Sequence, residues 1–203
     1  MPVATAKTPT LLFVIGPPAV GKMTVGAEIA RRTGLRLLHN HQTVDLVLPY
    51  FAFGSPPYSR LVGEFRRRIL EEVAASDLPG IVFTFVQAFD HASDAASLED
   101  FAKIFRERGG SVFYLELEAT LEERLRRNET PARLAAKPFK RDLAESREQL
   151  MDLDARYQLN SRGEFDARPE YLRLDTTTMS PEEVATRAIE RFGLETNTAP
   201  SAD

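Results

Sequence analysis

Cysteine is absent from this chain of 203 residues, which excludes disulfides and thiolate metal sites and is typical of cytosolic proteins. Long hydrophobic runs are absent too, since none approaches the roughly 18 residues that a membrane-spanning helix needs. The first ten residues, MPVATAKTPT, lack the apolar core and cleavage signature of a secretory signal. Positive charge is not in excess, because 26 basic residues face 30 acidic ones, so bulk charge does not indicate nucleic-acid binding. We therefore expect a cytoplasmic protein whose partners are neither membranes nor nucleic acids.

Apolar runs and helical patterns alternate along the chain. Five runs are predicted strands, at residues 11–15, 35–39, 81–89, 111–119 and 171–176. The first, LLFVI, is apolar throughout, as in a strand that is buried on both faces. The intervening helical patterns favour βαβ units and a parallel sheet. The sequence thus predicts one three-layer α/β/α domain over residues 11–193, between disordered tails at 1–10 and 194–203.

Residues with end-capping preferences mark several helix boundaries. Gly34 follows the helical pattern VGAEIARRT and predicts its C-terminal end. Thr120 is a predicted N-cap, and Glu123 three positions later completes the pattern of a capping box. Ser180 and Pro181 predict the start of the last helix.

The segment FVIGPPAVGKMTVG has nearly the pattern of a phosphate-binding loop between a strand and a helix. Gly16 and Gly21 permit backbone conformations in which N–H groups converge on phosphate oxygens, and the helix N-terminus adds partial positive charge. Lys22 supplies a charge for the terminal phosphates. The pattern departs at Met23, where a hydroxyl ligand for Mg²⁺ is usual and a thioether is a poor substitute. The nearest hydroxyl is on Thr24, about 100° further round the helix.

This loop resembles that of adenylate kinases and related P-loop small-molecule kinases, in which a residue without a hydroxyl follows the lysine and threonine comes next. The resemblance implies an ATP-dependent enzyme whose Mg²⁺ is held largely by nucleotide oxygens and water. It also implies five parallel strands in the order 2-3-1-4-5. The expected nucleotide contacts are the loop residues Gly16, Pro17, Pro18, Ala19, Val20, Gly21, Lys22, Met23 and Thr24.

The segment GEFRRRILEE resembles shikimate kinases, a branch of the same group, which carry a Phe-Arg pair on the helix after strand two. By that resemblance Arg66 would bind the carboxylate of the phosphoryl acceptor, and a guanidinium fork suits a carboxylate or a phosphate. The alternative is that Arg66, Arg67 and Arg68 form a solvated helix face.

A basic run follows the predicted fourth strand, with seven basic residues and one acid between residues 124 and 141. It resembles the lid of these kinases, expected at about 128–140. By resemblance Arg127 would lie over the adenine and Arg133 would reach the transferring phosphoryl group, although the spacing leaves these two roles interchangeable. The alternative is a solvated basic helix end.

Polar residues follow strands two and three. Shikimate kinases have two aspartates after strand two, whereas this chain has His39, Asn40 and His41, so the resemblance fails here. His41 could accept a proton near neutral pH, and His39 and Asn40 are predicted acceptor contacts; an ordinary polar cap is the alternative. Gln87 and Asp90 come at the predicted C-terminal end of strand three, where α/β sheets bind ligands. Gln87 is a predicted acceptor contact, and Asp90 is a predicted base or Mg²⁺ ligand unless it caps the next helix.

The segment LDTTTMSPEEVATRAIE resembles the loop that passes the adenine edge in many small kinases, where Thr176 would supply contacts. Taken together, the motifs predict a kinase that uses ATP and Mg²⁺, with Thr24 and Asp90 as metal ligands, to phosphorylate a small, anionic, hydroxyl-bearing metabolite. The alternatives are a nucleoside monophosphate kinase and an ATP-binding or ATPase module that acts on a protein partner. The sequence is compatible with a monomer or a dimer.

Overall fold

The computed structural model describes residues 8–129 and 143–197, which contain five strands and seven helices. The strands are β1 (Thr10–Ile15), β2 (Arg36–Leu38), β3 (Gly80–Phe85), β4 (Ser111–Glu118) and β5 (Tyr171–Asp175). The helices are α1 (Lys22–Thr33), α2 (Asn40–Val47), α3 (Pro56–Ala75), α4 (Ala92–Arg106), α5 (Leu121–Asn128), α6 (Leu143–Arg156) and α7 (Pro181–Phe192).

The strands form one parallel sheet in the order β2-β3-β1-β4-β5, which confirms the predicted order and the α/β class. β1 lies in the centre, where Leu12 is level with Val82 of β3 and Phe113 of β4. Because all five strands are parallel, the loops that follow them lie together at the carboxyl ends of the strands, which is one end of the sheet and is called the sheet edge below. The candidate active site is at this end.

Each face of the sheet has its own hydrophobic core, as a three-layer domain requires. Alternate residues of β1 point to opposite faces. One core joins β1, β3 and helices α3 and α4 through residues such as Phe13, Phe83, Leu70 and Phe105. The other joins the sheet to α1 and α7 through residues such as Val14, Ile29 and Val184. α2 and the start of α3 bury a separate small cluster of Val44, Val47, Tyr58 and Val62.

The predicted caps are present with one exception. Gly34 ends α1 in the left-handed conformation, with φ 76°. Ser180 and Glu183 form a reciprocal capping box at α7. At α5 the box is half formed: Thr120 Oγ1 accepts from the N–H of Glu123 at 3.3 Å, but the carboxylate of Glu123 contacts arginines instead. The backbone N–H of Thr120, which the Glu123 side chain would bind in a complete box, donates instead to the hydroxyl of Thr177 at 3.1 Å.

Several boundaries differ from the sequence prediction. β3 ends at Phe85, so residues 86–89 lie beyond the ladder. Helices α2 and α6 were not predicted. Thr10, assigned to the N-terminal tail, pairs with Gly80 in the sheet. The C-terminal tail was predicted to begin at residue 194, but Leu194 packs against a core and the N–H of Asn197 donates to the carbonyl of Arg32 at 2.7 Å. The remaining tail residues, 1–7 and 198–203, lie outside the described part. Across residues 8–129 and 143–197, every helix is too short or too polar to cross a bilayer.

Candidate active site

The phosphate loop follows β1, at the centre of the sheet edge. Gly16 has φ 134° and Gly21, which immediately precedes α1, has φ 106°; residues with a Cβ rarely adopt these values. A Cβ on Gly16 would also lie 2.3 Å from the carbonyl oxygen of Leu117 on β4. The loop thus has backbone conformations that explain both glycines, and it leads directly into a helix N-terminus suited to anions.

Lys22 is the first residue of α1, and its ammonium folds back against the loop. Nζ donates to the carbonyl oxygens of Gly16 at 2.7 Å and Pro17 at 2.6 Å. The side chain is therefore outside the hydrophobic cores and next to the loop backbone.

Met23 and Thr24 have different surroundings. Met23 is half-buried, whereas Thr24 is exposed and lines a groove of about 420 Å³. The groove runs from the phosphate loop and α1 to α5 and the loop after β5, and its walls also include Val20, Gly21, Val25, Arg127, Thr176 and Met179. Its volume is within the range of small-molecule and cofactor sites, about 300–1,000 Å³. Thr24 therefore lies on the same groove as the predicted nucleotide contacts Arg127 and Thr176.

Arg127 bridges two walls of this groove. Its Nη1 donates to the carbonyl of Val20 in the phosphate loop at 2.9 Å, and its Nη2 donates to the carbonyl of Thr176 at 2.6 Å. Nε donates to the carboxylate of Glu123 at 2.7 Å. These hydrogen bonds fix the orientation of the planar guanidinium, and a planar guanidinium can stack on a ring. Thr176 is buried, and its hydroxyl donates to the carbonyl of Glu118 at 3.0 Å, so it supports Arg127 from a fixed position.

Glu123 is the acid that orients the two arginines of α5. Hydrogen bonds from Arg126, followed by those from Arg127, lower the pKa of Glu123 to about 2. Arg126 is 68% exposed, whereas Arg127 is 21% exposed. Both arginines line the groove, but only Arg127 has hydrogen bonds to the phosphate loop and to the loop after β5 among the described residues.

Arg66 lies on the inward side of α3, between the buried residues Val62 and Leu70. Its Nε donates to the hydroxyl of Thr43 at 3.0 Å, and its Nη2 donates to Oδ1 of Asn40. Its Cζ is 5.8 Å and 5.7 Å from the ring centroids of two phenylalanines of β3. Burial lowers the pKa of the guanidinium to about 10, so it stays charged at neutral pH.

The neighbours of Arg66 in the sequence have different surroundings. Arg67 is exposed and faces Asp100 at 3.6 Å, and Arg68 pairs with Glu72 one turn along α3. The solvated-face interpretation therefore applies to Arg67 and Arg68 but not to Arg66. Within the described residues, no carboxylate forms an ion pair with Arg66.

The segment His39-Asn40-His41 begins α2. His39 is the N-cap residue, and its backbone N–H donates to Oε1 of Gln42 at 2.9 Å. Asn40 is fixed by its own N–H, which donates to the hydroxyl of Thr84 on β3 at 3.0 Å. Nδ1 of His41 lies 3.7 Å from Oδ1 of Asp45, one turn further along the helix. His39 thus has the capping position that the sequence left as an alternative, and Asn40 lies against Arg66.

Asp90 and Gln87 lie in the loop after β3. Gln87 is buried, and Asp90 is exposed with Oδ1 accepting from the N–H of Gln158 at 3.1 Å. The N–H of Phe89 donates to the carbonyl of Gln158 at 2.7 Å, so two hydrogen bonds join this loop to the loop after α6. Asp90 does not cap α4, since His91 is the N-cap residue.

Glu116, on β4, is a polar core residue that the sequence analysis missed. It is fully buried, and its carboxylate accepts from the N–H and hydroxyl of Ser161, from Nδ2 of Asn160 and from the hydroxyl of Tyr171. Burial, and then the hydrogen bond to Glu116, raise the pKa of Tyr171 above its usual range. An acid between two leucines in the run FYLELE was the available signal. The network anchors the loop after α6 beside the end of β1, whose Ile15 is level with Glu116.

The predicted lid, at about 128–140, and Arg133 within it lie outside the described residues apart from positions 128 and 129. Their flanks are joined to one another. Arg124 donates to Oδ1 of Asp154 at 2.6 Å, and the amide of Asn128 bonds the hydroxyl of Ser146 at 3.0 Å, which pairs α5 with α6.

Acidic and histidine side chains do not cluster as a preformed metal site: over residues 8–129 and 143–197, no group of three could hold a metal ion. Of the two predicted Mg²⁺ ligands, Thr24 is on the groove and Asp90 is bonded to the loop after α6.

Comparisons with known proteins identify the fold. No protein-family model matches the chain, and no curated protein sequence matches it. Among solved structures, the APS kinase of Mycobacterium tuberculosis, in complex with AMPPNP and APS, is 19% identical with a TM-score of 0.56, and the match covers 92% of this chain and 98% of that chain. The shikimate kinase of Acinetobacter baumannii, in complex with shikimate, is 17% identical with a TM-score of 0.52, covering 92% and 94%. The tunicamycin resistance protein of Deinococcus radiodurans is 18% identical with a TM-score of 0.53, covering 93% and 98%. The chain therefore has the P-loop kinase fold that the sequence predicted.

Proposed function

We propose that this protein is a small-molecule kinase that transfers the γ-phosphoryl group of ATP to a hydroxyl of an anionic acceptor. The observation that carries the proposal is the pairing of two sites at one sheet edge. A phosphate loop with its lysine lies beside an arginine-bridged groove, and a buried arginine without a carboxylate partner among the described residues lies across the ends of β2 and β3. Structural neighbours that phosphorylate APS or shikimate support the same chemistry.

The nucleotide side is assigned to the loop and the groove. The loop N–H groups and the N-terminus of α1 would bind the phosphates, with Lys22 leaving its two carbonyl partners for the terminal phosphates. Arg127 would cover the base, and the loop that begins at Thr176 would pass its edge. Mg²⁺ would neutralise the charge of the transferred group when it arrives bound to ATP, with Thr24 and Asp90 as the candidate protein ligands.

The acceptor side is assigned to Arg66. A buried unpaired guanidinium is costly, and a carboxylate or phosphate on the acceptor would offset that cost through charge-assisted hydrogen bonds. In the reaction, the acceptor oxygen forms a bond to the γ-phosphorus as the bond from that phosphorus to the β–γ bridging oxygen breaks, and ADP leaves. The hydroxyl proton passes to a base, for which His41 and Asp90 are the candidates; Asp45 faces Nδ1 of His41.

The test is a screen of ATP consumption with hydroxy acids, sugars, antibiotics, shikimate-like acids and nucleoside monophosphates. We expect ADP formation to depend on an anionic hydroxy compound. Arg66→Lys should then raise the acceptor KM about tenfold or more with little change in the KM for ATP, because lysine keeps the charge but loses the fork. Arg67→Lys is the matched control, since its side chain is exposed on the outer side of α3.

The screen also separates the alternatives. Turnover only with nucleoside monophosphates would identify a nucleotide kinase. ATP hydrolysis that no small molecule stimulates would contradict the proposal and favour an ATPase module with a protein partner.

A further inference from the structure

The charge of the acceptor pocket depends on what holds Arg66. We propose that Asn40 is a specificity-determining positioning residue: by holding Arg66 through a neutral amide, it leaves the guanidinium charge available for an acceptor with an ionised carboxylate or phosphate. This inference rests on the proposed function and deepens it. It also revises the predicted role of Asn40, from a direct acceptor contact to a residue that acts through Arg66.

Asn40 is fixed at two points. Its backbone N–H donates to Oγ1 of Thr84, near the C-terminal end of strand β3, at 3.0 Å. Its side-chain Oδ1 accepts from Nη2 of Arg66, while the hydroxyl of Thr43, three residues along α2, accepts from Nε at 3.0 Å. The first turn of α2 therefore sets the orientation of the guanidinium relative to the sheet edge.

The partners of Arg66 are all neutral. Two are an amide and a hydroxyl oxygen, and two are aromatic rings. The acid of α2, Asp45, faces His41, and the acids near Arg67 and Arg68 lie on the outer side of α3. The contacts formed within the described residues use Nε and Nη2, so Nη1 can bind an anion. A carboxylate at position 40 would instead compensate the charge internally.

A pair of isosteric variants tests this. Asn40→Asp adds one negative charge against Arg66 with almost no change in shape. Gln42→Glu adds the same charge two positions away on the same helical turn, where the side chain is exposed and a carboxylate still accepts from the N–H of His39. Both changes place the charge near the N-terminus of α2, so the effect of the helix dipole is matched.

The readout is thermal unfolding with inorganic phosphate as the probe, in the presence of saturating Mg·AMPPNP to occupy the phosphate loop. We expect phosphate to raise the Tm of the wild type and of Gln42→Glu equally. In Asn40→Asp the apparent affinity for phosphate should fall about tenfold or more, because a carboxylate already occupies the guanidinium. Circular dichroism at low temperature confirms that each variant is folded.

A second pair tests whether the effect passes through Arg66. In an Arg66→Gln background, adding Asn40→Asp should change the phosphate response no more than adding Gln42→Glu does. The inference is overturned if Asn40→Asp and Gln42→Glu respond alike in the Arg66 protein, if phosphate has no effect on the wild type, or if Asn40→Asp still acts without Arg66. None of these measurements needs turnover, so a failed acceptor screen would overturn the proposed function independently.

Discussion

Arg127 gives the sharpest test of the nucleotide groove. Its guanidinium spans the phosphate loop and the loop after β5 through the carbonyls of Val20 and Thr176, at 2.9 Å and 2.6 Å. In Arg127→Lys the charge remains, but a single ammonium cannot reach both carbonyls. Hydrogen bonds to charged groups contribute about 1.5–3 kcal/mol each, and the loss of one of the two gives a net destabilisation of about 2 kcal/mol. For a chain of this length that corresponds to a fall in Tm of about 4–8 °C.

Arg127→Lys should also weaken the binding of Mg·AMPPNP. The two walls of the groove would no longer be held together, and a loss of about 1.4 kcal/mol in binding is already a tenfold rise in Kd. The assays are scanning fluorimetry without ligand and calorimetric titration with Mg·AMPPNP.

The adjacent arginine provides the control. Arg126 pairs with the same acid, Glu123, but its side chain is 68% exposed, and exposed ion pairs contribute little. Arg126→Lys should therefore shift Tm by no more than about 1–2 °C and raise the Kd for Mg·AMPPNP less than Arg127→Lys does, because Arg126 lines the groove without bridging its two walls. If the two lysine variants behave alike in both assays, Arg127 is a surface residue and its bridging role is refuted.

Three further outcomes are expected. Lys22→Ala should weaken Mg·AMPPNP binding by orders of magnitude while the protein stays folded, because Nζ lies against the backbone of the phosphate loop and outside the hydrophobic cores; unchanged affinity by calorimetry would remove the phosphate-loop assignment. Thr24→Ala should weaken the Mg²⁺ dependence of nucleotide binding more than Met23→Ala does, and the reverse order in a metal titration would contradict the offset-hydroxyl interpretation. Because folding lowers the pKa of Glu123 from 4.5 to about 2, its ionised carboxylate stabilises the folded state fully at pH values above 4.5, and this contribution is lost as the pH falls through about 2. Urea unfolding should therefore find that the stability difference between wild type and Glu123→Gln shrinks across this interval, whereas a constant difference would mean that the arginine contacts do not persist in solution.

Features governed by local backbone chemistry were predictable from the sequence. Gly16 and Gly21 have positive φ values that few other residues tolerate, so the pattern of glycines was enough to find the loop. The stop at Gly34 and the helix start at Ser180 and Pro181 follow from the same kind of local rule. The strand order followed from the resemblance to P-loop kinases, which the fold confirms.

Features that depend on distant partners were not predictable. The sequence left open whether Arg66 binds an acceptor or joins Arg67 and Arg68 on a solvated helix face, and only its position between the buried residues Val62 and Leu70 distinguishes its surroundings from theirs. Its contact with Asn40 joins residues 26 positions apart. The half-formed box at α5 failed because Glu123 has two arginine partners, one of them committed to the groove. These outcomes depend on competition between tertiary contacts, which a local pattern does not encode.

The anchors on both sides of residues 130–142 have a consequence for protein engineering. Beyond that segment, α6 is held by the contact of Asp154 with Arg124, and the next loop is held by the buried carboxylate of Glu116. β5 and α7 then add a sheet edge and a helix that pack against β4 and α1. A backbone cut within 130–142 would therefore separate two pieces that share a sheet, a hydrophobic core and a buried polar network. Co-expressed as separate polypeptides, they are suited to reassemble without a covalent link, which makes this segment a natural site for a split reporter.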